Sequence, residues 1–477
     1  MKSIKKNYIF NVSYQVLLLI IPLILTPYVS RVLGPEGVGS YSYADSIVAY
    51  FVLFATMGIT IYGQREISYV QADREKRTQV FWETKILSVI TSLCSLIVYI
   101  PFIVFNDNWP LYLVLAFNIL SVTFDVTWFF QGMEEFGKIV FRNLIIKIIN
   151  VACIFLLVKT KDDVAVYGFC IAFFVFLGNI SLWLSLPKYI GRPDFSKIKP
   201  FRNIKVVLSL FVPTIAIQIY TVLDKTMIGL FTTNSLENGY YEQAIKISKM
   251  VLTLVTSLGT VMIPRIGFHF ERKEYDMVEH YMYRGYRFVW FLGIPLTFGL
   301  IGIASDFVPW FFGPGYEKVV FLLSVLAFLI IAIGISNVTG MQYLVPTKRQ
   351  KMLTISVVIG ACVNFAMNLV LIPMFQASGA AIASVVAEFT ITIVQLYYIR
   401  KELSVKRIIK NGFRYFIAGM GMLAVLLMEG YFLSSSIGHT FFMILTGGAV
   451  YVVVLLVLRD EFLLKNLKRV TGRFFKS

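Results

Sequence analysis

The stretch YYEQAIKISKMVLTLVTSLGTVMI (residues 240–263) reads in two ways. Glu242, Lys246 and Lys249 fall at i, i+4 and i+7, so at about 100° per residue they share one helical face, as on an ordinary surface helix. Apolar sequence nevertheless resumes at Val251 and continues through Ile263. Whether these charges sit in water or at membrane depth depends on the rest of the chain. The 477 residues are 57% hydrophobic and 15% charged, with a mean hydropathy of +0.74. Soluble domains carry about 25% charged residues, so the balance indicates an integral membrane protein.

A helix needs about 20 apolar residues to cross the hydrocarbon. Runs of this kind lie near 9–31, 41–63, 81–105, 110–131, 139–159, 164–187, 205–231, 241–264, 286–312, 317–341, 352–373, 378–399, 413–433 and 438–458. They are long and continuously apolar, unlike the short alternating strands of a barrel. The expected fold is an all-α integral membrane protein with about 14 transmembrane helices. The first run reads as a retained span, since VSRVLG lacks the small-residue pattern of a cleaved signal.

Charge orients these spans. With the amino terminus inside and charges at span ends counted with the side they flank, 35 Lys and Arg residues fall on the inner side, 4 on the outer side and 5 deeper within spans. That bias places both termini in the cytoplasm. It accounts for the formal net charge of +17 without nucleic acid. Basic segments such as KRIIKNGFR (406–414) read as topogenic signals in preference to specific lipid sites. The outer connections are short, which disfavours a glycosyltransferase or polymerase with catalytic loops.

The loop at 188–204 divides a lobe over 1–187 from a second over 205–399, with 400–477 left as two further helices and a basic tail. At an offset of 200, GSYSYADSI (39–47) aligns with GYYEQAIKI (239–247), matching Gly39 to Gly239 and Tyr41 to Tyr241, and further on Arg65 to Arg265. At an offset of 211, Gln131 meets Gln342 and Gly168 meets Gly379. Six helices return the chain to its starting side, so the lobes are expected to be parallel repeats with substrate held between them.

Cys94, Cys153, Cys170 and Cys362 lie in spans without metal-ligand spacing and read as packing residues. His269 and His280 fall in an inner loop and His439 in an outer one, and histidines isolated in this way do not make a metal site. No Walker A pattern occurs, which argues against ATP hydrolysis.

PYVSRVLGPEGVGSYSYADSI (27–47) resembles the polysaccharide transport family, which includes O-antigen and capsule repeat-unit flippases of the multidrug/oligosaccharidyl-lipid/polysaccharide superfamily. Pro27, Arg31, the Leu33–Gly34 turn, Gly37, Gly39 and Tyr41 carry the likeness. Asn11, GITIYGQREIS (58–68), WFFQGME (128–134) and QASGAAIAS (376–384) extend it, although Ala377 replaces the Pro or Tyr of the family pattern. The resemblance implies two six-helix lobes in a V and a cationic central cavity. It implies transfer of an undecaprenyl-diphosphate-linked oligosaccharide to the outer leaflet of a bacterial cell membrane, without catalysis or a cofactor.

Intramembrane polar groups are the candidate site, because charges in hydrocarbon need a partner or a wet cavity. Lys246, Lys249 and Thr253 form the stripe of the eighth span, and Gln218, Thr221 and Lys225 a second stripe on the seventh. Arg31 stands at the outer end of the first span. Ammonium and guanidinium groups would attract a diphosphate, and hydroxyls would bond sugars. A plain Glu242–Lys246 pair with outward-snorkelling lysines competes with cavity lining, and an interfacial anchor competes for Arg31. Asp45, Asp125, Asp224 and Glu388 are candidates for Na⁺ or H⁺ coupling, with Lys147 as a partner or cavity cation, while Lys85, Asp306 and Glu429 read as interfacial. Tyr28, Tyr41, Tyr43, Tyr220, Tyr240 and Tyr241 fit an aromatic belt. The competing functions are a cation-coupled multidrug or lipid II transporter, a membrane glycosyltransferase or polymerase, and a scaffold for envelope assembly.

Overall fold

The computed structural model describes residues 4–232, 234–257, 259–432 and 435–465, with side chains from Ile20 onward except at 212, 213, 216, 217, 219, 220, 260 and 261. The side chains of Asn11 and Tyr220 and the basic tail beyond 465 lie outside the described residues. Among the described residues every regular element is helical. The first group is α1 (Ile4–Thr56), α2 (Ile59–Tyr69), α3 (Arg74–Val104), α4 (Trp109–Phe124), α5 (Thr127–Gly132), α6 (Phe136–Leu157) and α7 (Val164–Ser181). A 3₁₀ segment, Leu182–Lys188, leads to α8 (Ile204–Phe231), α9 (Leu236–Thr256), α10 (Gly259–Glu271) and α11 (Tyr275–Phe312). Then follow α12 (Lys318–Leu326), α13 (Leu329–Thr339), a π turn at Gly340–Leu344, α14 (Gln350–Phe375), α15 (Ala377–Ile399), α16 (Val405–Phe432) and α17 (Ile437–Val457).

At 1.5 Å per residue the 53 residues of α1 would reach about 80 Å, too far for one crossing of about 30 Å. Gly34 breaks it, with φ 67° and ψ 175°. No side chain favours that positive φ, and Pro35 then begins the second half with its φ already set. By length and hydropathy alone, 11 segments among the described residues can cross a membrane. One of them, Ile20–Tyr69, has 50 residues and is long enough for two crossings. The expected total of 14 is not established by this criterion. Around the helices the surface is rich in exposed Leu, Ile, Val and Phe, as a lipid-facing protein requires.

The chain forms two compact units, Met1–Gly239 and Tyr240–Ser477. The boundary falls beyond the loop 188–204 because α8 and the first turn of α9 pack against α1. There, Gly39 and Gly239 meet reciprocally. A Cβ on Gly39 would lie 1.7 Å from the Ser235 carbonyl oxygen, and one on Gly239 would lie 1.9 Å from that of Pro35. Only glycine permits this approach. Positions 35 and 235, like 39 and 239, are separated by 200 residues. Helix breaks recur at the same offset: α1 ends at Thr56 and α9 at Thr256, and α2 starts at Ile59 and α10 at Gly259.

The WFFQGME motif is a core element of the first unit. Trp128, Phe129 and Phe130 are buried with Phe81, Ile67 and Leu182. The Gln71 amide donates to the Gly132 carbonyl at 2.5 Å, tying α5 to the end of α2.

Candidate functional site

The expected stripe on α9 lies along its open face. Tyr241, Ala244, Ile245, Ser248, Leu252 and Val255 are buried on the opposite side. Lys249, Thr253 and Ser257 are exposed, and Glu242 and Lys246 partly so. Period 3.6 places these two sets on opposite faces. Lys246 Nζ lies 3.6 Å from Glu242 Oε1, so the i, i+4 pair forms. It leaves the stripe with two ammonium groups against one carboxylate. The hydroxyls partly satisfy themselves: Thr253 Oγ1 donates to the Lys249 carbonyl at 2.9 Å and Ser257 Oγ to that of Leu254 at 2.8 Å. The lone pairs of Thr253 Oγ1 can still accept from a ligand. Across the buried face, the Tyr241 hydroxyl and Ser384 Oγ are 2.9 Å apart, fixing α9 to α15. Glu388 stands one turn beyond Ser384, partly exposed, with its carbonyl accepting from Thr392 Oγ1.

In the first unit α8 divides its polar groups between two faces. Gln218, Thr221 and Lys225 are exposed or half-buried, with Thr221 Oγ1 donating to the Gln218 carbonyl at 2.8 Å. Asp224 is turned about 100° from Lys225 and is buried. Beside it, Thr226 bridges α8 to α1, 3.1 Å from both Ser46 Oγ and the Tyr50 hydroxyl. Arg31 is exposed on α1, one turn before Gly34, and Asp45 is partly buried further along the same helix.

Asp125 has a local architectural task at the break between α4 and α5. Its Oδ1 accepts from Thr127 N at 2.8 Å, and its carbonyl accepts from Lys85 Nζ at 3.0 Å and Trp128 Nε1 at 3.2 Å. Lys85 is therefore buried inside the first unit, not interfacial as its place in the sequence suggested. The free carbonyl at the helix break supplies the partner that a buried ammonium needs. Asp306 and His439 also depart from the sequence reading. His439 belongs to the first turn of α17 and is buried, with Nδ1 2.8 Å from Asp306 Oδ1. Thr440 Oγ1 donates to Asp306 Oδ2, and Trp310 Nε1 donates to Thr440 at 2.7 Å. The return of α17 along α11 creates this cluster, and sequence distance conceals it. Glu429 accepts from Thr446 Oγ1 at 2.8 Å between α16 and α17.

Sequence reasoning passed over a set of buried amides in the second unit. Asn364 and Asn368 are fully buried on α14, 3.2 Å apart. Gln395 donates to Ser356 Oγ at 3.1 Å, and Gln342, in the π turn, donates to Asn337 at 3.2 Å. Two asparagines at i, i+4 in an apolar run were a visible signal, and π turns recur at functional sites. Among the described residues, no three His, Cys, Asp or Glu side chains gather as metal ligands.

Outside the spans, Arg349 clamps Glu402 with bonds of 2.6 and 3.0 Å, joining the loop before α14 to the loop after α15. Burial pushes the Glu402 carboxyl up, but its hydrogen bonds from Arg349 and Tyr343 bring it net below its ordinary value.

Residues 4–268, more than half of the chain, match the sequence profile of the family described as polysaccharide biosynthesis protein. The chain belongs to this family. It is 22% identical over 407 residues to a putative O-antigen transporter of Escherichia coli, covering 84% of this chain and 97% of that relative. It is also 22% identical over 412 residues to a probable low-salt glycan biosynthesis flippase of Haloferax volcanii, covering 84% of each. Among solved structures, the lipid II flippase MurJ in an inward closed conformation superposes with a TM-score of 0.72, at 18% identity, over 95% of this chain and 99% of that one. An inward-facing multidrug resistance transporter of the MATE family gives 0.64 at 12% identity, over 83% and 95%. These likenesses establish a shared fold, and the chain is a multi-pass membrane protein of this family.

Proposed function

We propose that this protein is a flippase for a lipid-linked glycan, moving an undecaprenyl-diphosphate-linked oligosaccharide repeat unit from the cytoplasmic to the outer leaflet. The observation that carries the proposal is the open stripe of α9, where Lys246 and Lys249 share one face with Thr253, continued by Ser257 just past the helix end. Ammonium groups suit a diphosphate and hydroxyls suit sugars. Family membership and relatives named as transporters and flippases support a transport role without catalysis. Lys225, Gln218, Thr221 and Arg31 are proposed as further headgroup contacts. Asp45, Asp224 and Glu388 are proposed as groups that respond to a coupling Na⁺ or H⁺, and Asp125 as a weaker member because of its role at a helix break. The surplus of basic residues in loops 64–80, 188–204, 265–285 and 400–412 supports a cytoplasmic placement of both termini in a bacterial cell membrane. Transport would proceed by alternating access, with headgroup or ion biasing the switch through unequal affinity for its two states.

The test is headgroup translocation in proteoliposomes with the folded double variant Lys246→Ala/Lys249→Ala. A charge-assisted bond contributes about 1.5–3 kcal/mol, so each lysine should be worth about ten-fold or more in transfer. Unchanged transfer by the double variant would remove the stripe from the mechanism. No transfer by the wild type, with or without ion gradients, would remove the flippase assignment.

A further inference from the structure

The second unit contains a cavity unconnected with the α9 stripe by any residue. The first turns of α11, the start of α16 and the stretch 461–465 enclose about 350 Å³ at the basic end of these helices. Arg284 and Arg287, at i and i+3 on α11, face Arg407 and Asn411, at i and i+4 on α16, while Lys465 and Glu461 close the third side. Four permanent cations thus line a space with one carboxylate.

Among the described residues these cations have no tight ion-pair partner. Arg407 lies 3.7 Å from Glu279 and Arg287 lies 3.9 Å from Glu461. In the same unit, Arg349 shows what a committed pair looks like, bidentate to Glu402 from 2.6 Å. The walls are nonetheless firmly held. The Arg407 guanidinium rests over the Tyr283 ring at 4.2 Å, and the Tyr283 hydroxyl accepts from Ser404 N at 2.9 Å. Buried Asp460 accepts from the Tyr415 hydroxyl at 3.0 Å and from Leu463 N at 2.9 Å, which fixes the segment carrying Glu461 and Lys465. Phe462 packs on Phe291 with ring centroids 5.2 Å apart.

Depth selects the ligand. Ile409 and Phe413 of α16 are 59% and 63% exposed at the same depth as Arg407 and Asn411, on the side of the helix turned away from the cavity. Apolar exposed surface continues through Phe416, Ile417 and Met420 along the helix. The apolar exposed side of α16 thus begins at the depth of the cavity, and a phosphate held there would stand at the level of lipid headgroups. Basic pockets between membrane helices recognise anionic headgroups in this way. Guanidinium forks match phosphate oxygens in pairs.

We infer that the cavity between α11, α16 and residues 461–465 is a binding site for the phosphate of an anionic phospholipid, with Arg284, Arg287 and Arg407 as its principal donors. KRIIKNGFR then does more than set topology: Arg407 and Asn411 of that segment face a ligand.

The experiment measures binding of fluorescent phosphatidylglycerol to the full-length protein in neutral detergent, with phosphatidylcholine and inorganic diphosphate as the other ligands. Wild type should prefer phosphatidylglycerol to phosphatidylcholine. The variant Arg284→Gln/Arg287→Gln/Arg407→Gln should lose about five-fold per cation, the equivalent of about 1 kcal/mol each. Lys273→Gln/Lys351→Gln/Lys401→Gln removes three exposed charges of the same unit outside the cavity and should change affinity less than two-fold. Glu461→Gln should tighten binding. Equal affinity for the two lipids, or equal loss in both triple variants, overturns the proposal. Arginine-dependent binding of inorganic diphosphate with no lipid preference overturns the lipid source and assigns the cavity to a soluble phosphate. Should the arginine triple variant fail to fold, Arg284→Gln and Glu461→Gln decide, and no change in either overturns the site. Neither readout depends on transport.

Discussion

Replacing Gly39 by alanine tests how closely α1 and the start of α9 are packed. The new Cβ would sit 1.7 Å from the Ser235 carbonyl oxygen and 2.8 Å from Gly239 N. Ordinary contact begins near 3.4 Å, so the two segments must part by about 1.7 Å. The obstructing atoms are backbone, and no rotamer change relieves them. Separation strains the hydrogen bonds from Ser40 Oγ to Ser235 Oγ and from Ser235 Oγ to the Glu36 carbonyl, each 3.0 Å long. Overpacking costs about 1–3 kcal/mol and two lost hydrogen bonds about 2 kcal/mol, offset by about 1 kcal/mol of helix propensity gained over glycine. The expected net loss is about 2–4 kcal/mol. Thermal unfolding in one fixed detergent should show Gly39→Ala lowered by several degrees. Gly137→Ala, whose Cβ meets nothing within 4 Å, should be unchanged or raised. Gly239→Ala should match Gly39→Ala, because its Cβ meets the Pro35 carbonyl oxygen at 1.9 Å. The double variant should cost less than the sum, since one separation relieves both clashes. A Gly39→Ala midpoint equal to that of Gly137→Ala would refute the crossing.

Three further outcomes follow from other contacts. Asp306→Ala leaves His439 Nδ1 and Thr440 Oγ1 buried without their acceptor, at about 1–3 kcal/mol for each group, and should lower the unfolding midpoint more than Asp306→Asn. The Glu402 carboxyl is held below its ordinary value, so its stabilising contribution is complete above the unfolded pKa and disappears as pH falls through the lower folded one; acid titration of unfolding should lose a step below the usual carboxylate range in Glu402→Gln, and an unaltered profile would exclude this linkage. Lys85→Met should preserve bulk while removing the ammonium bonded to the Asp125 carbonyl, with a loss of about 1–3 kcal/mol read by chemical unfolding in micelles.

The α9 stripe was legible because period 3.6 survives in any helix, and Glu242, Lys246, Lys249, Thr253 and Ser257 keep that period through an apolar run. Asp125 was not legible in the same way. Its work is done largely by a backbone carbonyl, which no side-chain pattern reveals, and its partner Lys85 lies 40 residues away. His439 looked like an isolated loop residue because Asp306 is 133 positions earlier. Asn364 and Asn368 were readable in principle, but amides carry no charge and do not stand out in a search for ionised groups at membrane depth.

By itself the sequence determined an all-α membrane protein, since uninterrupted apolar runs can satisfy their backbone in lipid only as helices. It also determined the recurrence at 200 residues, because Gly39 and Gly239 are identities of composition and spacing. That these two glycines touch each other, and that each faces the carbonyl four residues before the other, was decided only in three dimensions. The same is true of the cavity of Arg284, Arg287 and Arg407. Local pattern fixes which face of a helix is polar, but convergence of two such faces depends on long-range packing of α11 against α16.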